Sequence, residues 1–575
     1  MKKNVLMLLI LLSVQVTFSQ AYHSYLQLDG RLSNPVITDF ERMPNNNMVY
    51  SLILNDSAKT MPGNVHIYNE TVVKNPGSGV LVMSPNNTVL WSHTWMPVNY
   101  LNDFMYIYQT LVDGAGNIYL SGRYRGLIDM DPTNGVSMFQ QTNANDVEGF
   151  LIKLDGNGNF KWAKKFGNTN IAGMYCDLYL ANHHPNGQLV FGGSFRKTVD
   201  FDPSVGNNLV NANCYHNNAF FLTLDTSGNY VDVKTLQVDS SASLSHFAID
   251  SLGNYYAIYA YFGTIDVDPG PGVVNYTLQS GYYNYCIAKY DANFVLQWSK
   301  NFPNDNNFSL KLCLKDNQSF YLFSSFTDTI QLSNNTTAIA NGPSDFFVEK
   351  WDANGNCSWS KIMSGNGADN IYDVAFKNNK LYYLYAYSDS IHTNTGANDT
   401  TLYANKRDMA LSVFTENGMH MSSAEVKSDS SVYAEWAKLR LYDNEIYFNF
   451  SSNGISDINP SMAVQNVSPT WSAPYTTIAL KWILTPTAIQ SYTVQDQHEM
   501  KIWPNPSSEY FNIETPTNGL LMIYDAIGNK MFEGNTLKPI SILSFKGYAK
   551  GIYFVYFVPD GNAQAIKMAK LLYQP

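Results

Sequence analysis

A hairpin that returns at a nearly fixed interval is the strongest constraint this sequence places on its own folding. Residues 149–167 read GFLIKLDGNGNFKWAKKFG. Two short apolar and aromatic runs, 150–154 and 160–164, flank Asp155-Gly156-Asn157-Gly158-Asn159, where Gly and Asn supply the positive φ of a tight reversal. Versions recur as FFLTLDTSGNYVDVKTL, CIAKYDANFVLQWSKNF, FVEKWDANGNCSWSKIM and ALSVFTENGMHMSSAEV, with an earlier VLVMSPNNTVLWSHTW and a half-copy, IALKWIL. The seven copies start at residues 80, 150, 220, 286, 347, 410 and 478, so the period stays between 61 and 70 residues.

A second hairpin precedes each of these, as in VDGAGNIYLSGRY from residue 112, HPNGQLVFGGSF from 184 and KNNKLYYLYAY from 377. One unit therefore holds four strands, A to D, and almost no stretch shows a 3.6-residue apolar period, so few helices are expected. Repeated four-stranded sheets are the blades of a β-propeller, packed face to face around an axis so that only short edges stay exposed. A β-solenoid repeats in about 20–30 residues and a sandwich domain takes about 100; neither matches the period. The expected architecture is all-β: a seven-bladed propeller of four-stranded blades over residues 20–484, a linker at 485–500, and a small Ig-like β-sandwich over 501–575.

Ring closure sharpens the expectation. The seventh unit offers A (433–441), B (445–451) and C (477–483), but Pro486 follows and no D strand is evident. Residues 22–28, YHSYLQL, alternate like a strand and precede the first A strand at the spacing seen at another unit junction. They are expected to supply the missing outer strand by pairing with 477–483.

The first residues read as a secretory signal over 1–19. Lys2-Lys3 leads an apolar run over 5–14, and small residues place cleavage between Ser19 and Gln20. That run is shorter than the roughly 20 residues of a spanning helix, so no transmembrane segment is expected. Five cysteines, Cys176, Cys214, Cys286, Cys313 and Cys357, are widely spaced without a CxxC pair and read as small buried strand residues. A net charge of −11 argues against nucleic acid as a partner.

The A–B and C–D turns are short, whereas the B–C connections run to about 20 residues, as over 129–147 and 200–218. B–C and D–A loops share one rim of a propeller, which makes that rim the place for binding. Asp129-Met130-Asp131-Pro132, Asp200-Phe201-Asp202-Pro203, Asp266-Val267-Asp268-Pro269 and the degenerate Asp457-Ile458-Asn459-Pro460 open several of these loops. Alternate carboxylates suit Ca²⁺, but Asp followed by Pro also makes a turn that ends a strand, and the run supplies too few oxygens for an ion. Tryptophan recurs in the D strand at Trp91, Trp162, Trp298 and Trp359, with Asp232 and Met421 at the equivalent places, and reads as packing between blades. His183-His184 reads as exposed loop. Nucleophile-elbow, zincin and phosphate-loop motifs are all missing, so no catalytic, cofactor-binding or metal residue is assigned.

Two resemblances complete the reading. GGSFRKTVDFDP (192–203) followed by FFLTLDTSGNY resembles the repeats of secreted bacterial β-propeller-repeat proteins, a family defined by architecture that implies no common substrate. The C-terminus, with Trp503-Pro504-Asn505-Pro506, YFNIE, LLMIYDAIGNKMFEG, SFKGYAKGIYFVYF and AIKMAKLLYQ, resembles the type A sorting domain of the type IX secretion system. The motif residues carried over are Pro504, Asn505 and Pro506 at the first strand, Gly551 and Tyr553 in a late strand, and Lys567 and Lys570 in the final one. This resemblance implies engagement of the type IX machinery, passage across the outer membrane of a Gram-negative bacterium, and release or surface attachment. The expected function is a secreted or cell-surface, non-catalytic binding or adhesion module whose rim meets a glycan or protein. The rivals are a propeller hydrolase or lyase acting on polysaccharide, which carboxylates converging at the channel mouth would favour, and a structural surface-layer component.

Overall fold

The computed structural model describes residues 18–486 and 501–573, except 31–34, 55–57, 62–65, 68–76, 99–102, 168–170, 205, 213–215, 279–282, 303–309, 334, 394–399, 435, 461–464, 469–475, 506, 508, 516–517, 526–529, 537–539, 547 and 560–566. Residues 1–17 of the expected signal (1–19), most of the expected linker and Cys214 lie outside them. The described elements are strands, and no helix among them is long and apolar enough to cross a membrane. The chain divides into two compact units, Met1–Thr487 and Ala488–Pro575.

The first unit is a run of antiparallel four-strand meanders. Phe104–Val112, Ile118–Arg125, Glu148–Leu154 and Phe160–Phe166 pair in that order. The same pattern holds for the meander from Val36–Arg42 to Val89–Trp95, and for those from Tyr175–His183 to Tyr230–Thr235 and from Ser241–Ile249 to Leu296–Phe302. It continues from Lys311–Leu314 to Cys357–Gly365 and from Asn370–Lys377 to His420–Ser428. The turns form for the anticipated reason: Asp155 Oδ1 accepts the backbone N–H of Asn157 and of Asn159, each at 3.0 Å, and Gly158 has φ +83°. Asp113, Asp225, Asp250, Asp291 and Asp352 repeat that network.

The last meander is completed by the other end of the chain. Leu439–Tyr442, Glu445–Ser452 and Thr476–Pro486 pair in order, and Phe18–Gly30 then lies along Thr476–Pro486 with Tyr22 opposite Trp482 and Leu28 opposite Thr477. Residues 22–28 thus meet the segment anticipated for them, and Leu26 and Leu28 are buried. Ser19 and Gln20 fall within the same strand, opposite Thr485 and Leu484. Polar contacts lock the junction with the first meander: Thr477 Oγ1 donates to Pro35 O at 2.6 Å, Arg440 reaches Asp39 at 3.2 Å, and Arg42 reaches Asp443 at 2.9 Å.

One expected strand is broken. The first strand of this last meander, anticipated over 433–441, is confined to Leu439–Tyr442, with Val432–Tyr433 pairing separately against Ser451 and Ser452. Between them the chain turns, Ala437 N–H bonding to Ala434 O at 2.8 Å, and Trp436 is thrown outward. The cause is local: Ala434 and Ala437 are both buried, three residues apart, a spacing a two-residue strand period cannot serve.

The recurring tryptophans join successive sheets. Trp91 Nε1 donates to Gly156 O at 3.2 Å and Trp298 Nε1 to Ala353 O at 2.9 Å, each carbonyl lying in the turn of the next sheet. Lys153 and Lys289 add bonds of 2.8 and 3.0 Å to Thr226 O and Ala353 O. Register corrects one alignment: Ser422 sits opposite Val413 as Trp359 sits opposite Lys350, so Ser422, not Met421, holds the tryptophan position.

The long connections are ordered ribbons. Leu127–Asp129 pairs with Met138–Gln140, Thr198–Asp200 with Leu209–Asn211, and Thr264–Asp266 with Asn275–Thr277. The first aspartate of each Asp-x-Asp-Pro run accepts two backbone N–H groups: Asp129 from Asp131 and Ser137, Asp200 from Asp202 and Asn208, Asp266 from Asp268 and Val274. Asp457 does the same with Asn459 and Gln465. Each of these aspartates makes the anticipated turn through its Oδ1, which accepts both backbone bonds. Cys176 and Cys286 are buried strand residues as expected; Cys313 and Cys357 are partly buried, and all four are free thiols.

The second unit has two antiparallel sheets. Lys501–Trp503, Tyr510–Glu514 and Ile540–Ser544 form one; Lys530–Thr536, Gly519–Asp525, Gly551–Pro559 and Lys567–Tyr573 form the other. Phe511 and Ile513 of the first share a core with Leu521, Ile523, Val555, Phe557 and Leu571 of the second.

Candidate functional site

The first strands of the meanders in the first unit surround a cavity of about 510 Å³, lined in turn by Asp39–Glu41, Gln109–Leu111, Leu180–His183, His246–Ala248, Lys311–Leu314, Tyr372–Phe376 and Ala437–Leu441. Most of these strands carry a β-bulge at the same place. Register shifts at Ile37/Asp39, Ile107/Gln109, Leu178/Leu180, Leu244/His246 and Ile371/Asp373 free Thr38, Tyr108, Tyr179, Ser245 and Tyr372 from pairing. A bulge redirects a side chain out of the alternating pattern. Four of these five residues line a second cavity of about 360 Å³ near the strand starts, together with Asp177, Trp436 and Lys438. The two cavities share His246, Lys311 and Lys438, so the second is a mouth opening into the first. Strand starts face the side of the long connections, which places the mouth on the rim anticipated for binding.

Tyr108 and Trp436 line the mouth, and Tyr108 ends a row of rings along its own strand. Phe104, Tyr106 and Tyr108 follow at centroid spacings of 5.0 and 5.9 Å, and Trp436 lies over Tyr108 at 6.0 Å with planes 9° apart. Arg123 sits 5.5 to 5.7 Å from the Phe104, Tyr106 and Tyr108 rings and bonds Asp177 at 3.1 Å. Trp436 remains 39% exposed, so one part of the shelf is open.

The charges here are unusually placed. Burial holds the Asp177 carboxyl up at about 6 despite Arg123 and the Tyr175 hydroxyl, which pull it down. Burial lowers His246 to about 3, helped by Lys438, Lys311 and Arg440, which keeps the imidazole neutral. Lys311 is brought down to about 8 by burial against the pull of Asp373, and its ammonium donates to Tyr372 O at 2.8 Å. Deeper in, Arg440 bridges Asp39 at 3.2 Å and Asp373 at 3.6 Å. Glu41 is raised to about 8 by burial and by the neighbouring Asp39 charge, while Val112 N–H bonds its carboxyl at 3.0 Å.

The lining is thus mixed, neither the apolar and amide wall that would suit a passive channel nor carboxylates gathered at the mouth itself. Among the described residues no cluster of three or more His, Cys, Asp and Glu is arranged to hold a metal ion. His183 reaches Val112 O at 3.0 Å from inside the cavity wall, and His184 lies at a turn against Tyr255. His183 is therefore not an exposed loop residue. Trp436, Lys311, His246 and Lys438 were missed by sequence reasoning, although Ala-Glu-Trp-Ala-Lys at 434–438 breaks the two-residue alternation and so signals a turn.

In the second unit Pro504 and Asn505 are exposed just after the first strand, and Pro506 lies outside the described residues. Gly551 pairs with Tyr573 at the start of its strand. Tyr553 is buried against Phe545 at 5.1 Å, and its hydroxyl donates to Ala549 O at 2.6 Å. Lys567 and Lys570 lie on the final strand, opposite Phe557 and Phe554.

Residues 501–570 match the family model of the secretion system C-terminal sorting domain. No curated protein matches the chain. Similar solved structures include PorZ, an essential bacterial surface component of the type IX secretion system of Porphyromonas gingivalis, at 10% identity, covering 95% of this chain and 100% of that one with a TM-score of 0.16. The phage phi92 endosialidase is 9% identical over 97% of this chain and 88% of its own, TM-score 0.34. A DUF4221 family member from Bacteroides vulgatus is 10% identical over 64% and 93%, TM-score 0.28.

Proposed function

We propose that the first unit is a closed propeller of seven four-stranded blades, that the second is an Ig-like sandwich serving as its address for the type IX machinery, and that the protein works at the cell surface or outside the cell as a non-catalytic binding or adhesion module. The observation that carries the binding role is the open aromatic shelf of Tyr108 and Trp436 at the cavity mouth. A flat, partly exposed ring pair on a rigid scaffold suits recognition of a saccharide face or a planar side chain. Carboxylates around it are engaged: Asp177 by Arg123, Asp39 by Arg440 and the Thr110 N–H, Asp373 by Arg440 and the Leu439 N–H. Fractionating cells that carry the full chain or a chain lacking residues 497–575 tests the address. The truncated form is expected to stay in the periplasm, and its normal surface delivery would refute the assignment. Glycan-array binding by the purified protein, lost in Trp436→Ala, tests the mouth.

A second reading is favoured by one observation. Glu41, its carboxyl raised to about 8 by burial and by the neighbouring Asp39, has the character of the general acid in a polysaccharide-cleaving enzyme. Release of reducing ends from polysaccharide, abolished in Glu41→Gln, would establish it; intact polymer after prolonged incubation would exclude it for the polymers tried.

A further inference from the structure

Resting on the reading of the mouth as a binding surface, we infer that its ligand is an acidic saccharide, a pyranose bearing a carboxylate, rather than a neutral glycan. The chain as a whole carries a net charge of −11, yet the mouth gathers Lys311 and Lys438. Neither ammonium has a carboxylate partner within salt-bridge distance among the described residues. Asp177 is the one carboxylate among the residues lining the mouth, and Arg123 already holds it. Asp39 and Asp373, deeper in the cavity, share the single guanidinium of Arg440, and Glu41 beside them is held up to about 8, so the one negative charge left below, with Asp373 acting on Lys311, offsets only one of the two lysines. A carboxylate seated between Lys311 and Lys438 would supply the missing charge.

A simple anion would leave the rest of the mouth unused. Of the residues lining the mouth, two have a buried polar atom without a hydrogen-bond partner among the described residues, Asp177 Oδ1 and His246 Nδ1. Orphaned buried polar atoms mark places where a ligand or water completes the network. Sugar hydroxyls can donate to Asp177, and they can donate to or accept from a neutral imidazole. The Trp436 ring offers the apolar face on which the C–H side of a pyranose stacks. One molecule with a carboxylate, hydroxyls and a flat apolar face meets all three demands, and the mouth, at about 360 Å³, lies within the usual range for small-molecule sites.

Titration calorimetry of the full chain with pentagalacturonate and with galactopentaose tests this. The acidic oligomer is expected to bind at least about tenfold more tightly, with the preference erased in Lys438→Gln and both affinities reduced in Trp436→Ala. Equal binding of the two oligomers, or a preference that survives Lys438→Gln, overturns the acidic assignment while leaving the binding mouth standing if Trp436→Ala still weakens both. Dextran sulfate displacing pentagalacturonate with equal affinity would reduce the site to charge alone and overturn it as well. Binding of neither oligomer overturns the inference; an array negative for every glycan would then remove the saccharide-binding reading of the mouth too.

Discussion

The indole of Trp162 lies directly over Gly228 in the turn of the following sheet, so close that a Cβ on Gly228 would stand 2.8 Å from Cη2. Trp91 and Gly158, Trp298 and Gly355, and Trp359 and Gly418 repeat the arrangement, with φ between +73° and +83° at each of these glycines. The exception is coherent: Asp232 replaces tryptophan in one sheet, and in the next Phe294 occupies the glycine place at φ +62°, its ring stacked on Tyr290 at 4.4 Å. Gly228→Ala is therefore expected to lower stability by about 1–3 kcal/mol through strain and overpacking. Asp232→Trp and Phe294→Gly should each destabilise, whereas the pair together should recover about 1 kcal/mol or more of the summed loss in a double-mutant cycle of denaturant midpoints. Strict additivity would contradict the arrangement.

Leu28→Asp should prevent closure. Leu28 is fully buried opposite Thr477, and an unpaired carboxylate there costs several kcal/mol. The freed edge of Thr476–Pro486 should then show as loss of cooperative melting and as aggregation in light scattering. A monomeric variant with an unchanged melting curve would argue against the pairing.

Glu41 ties stability to pH. Its carboxyl titrates near 8 in the folded chain against an ordinary 4.5. A raised carboxyl favours the folded state fully below the unfolded value, and that advantage is lost as pH climbs from 4.5 through 8. Glu41→Gln, which carries no charge, should therefore gain on the parent by about 2–4 kcal/mol between pH 5 and pH 9. Thermal melts of both proteins across that range read it directly; parallel curves would show that Glu41 is not the buried acid described.

Tyr553→Ala should disable the second unit alone. The ring fills a core with Phe545, Tyr548 and Tyr573, and its loss should cost about 3–5 kcal/mol. Calorimetry should show the transition of the second unit shifted down or lost and that of the first unchanged.

Much of the scaffold was legible because its causes are local. The run Asp155 to Asn159 contains both the carboxylate that binds the turn amides and the glycine that takes positive φ, so the hairpin can be read from a few letters. The pairing of residues 22–28 with 477–483 was accessible by counting strands, since a strand was missing at one end and spare at the other. The mouth was not legible, because its parts, from Thr38 to Lys438, lie up to 400 residues apart. A bulge that turns Tyr108 inward leaves no mark in its own neighbourhood, and the loneliness of Lys438 depends on which carboxylates Arg440 has already taken. The slip of one residue from Ser422 to Met421 has a different origin: the hairpins from 347 and 410 align without a gap, which already puts Ser422 at the place of Trp359, and the pairing with Val413 confirms it.

The pairing of Phe18–Gly30 with Thr476–Pro486 has a consequence for how the protein comes into being. The earliest strand waits for a partner made more than 440 residues later, a contact of the kind that slows folding by its entropy of closure. Until that late arrival the edge of Phe18–Gly30 that Thr476–Pro486 covers stays bare. The pairing therefore acts as a seal that only a chain reaching Thr476–Pro486 can set, and a polypeptide broken off before it would carry its own opening strand as an unmet half.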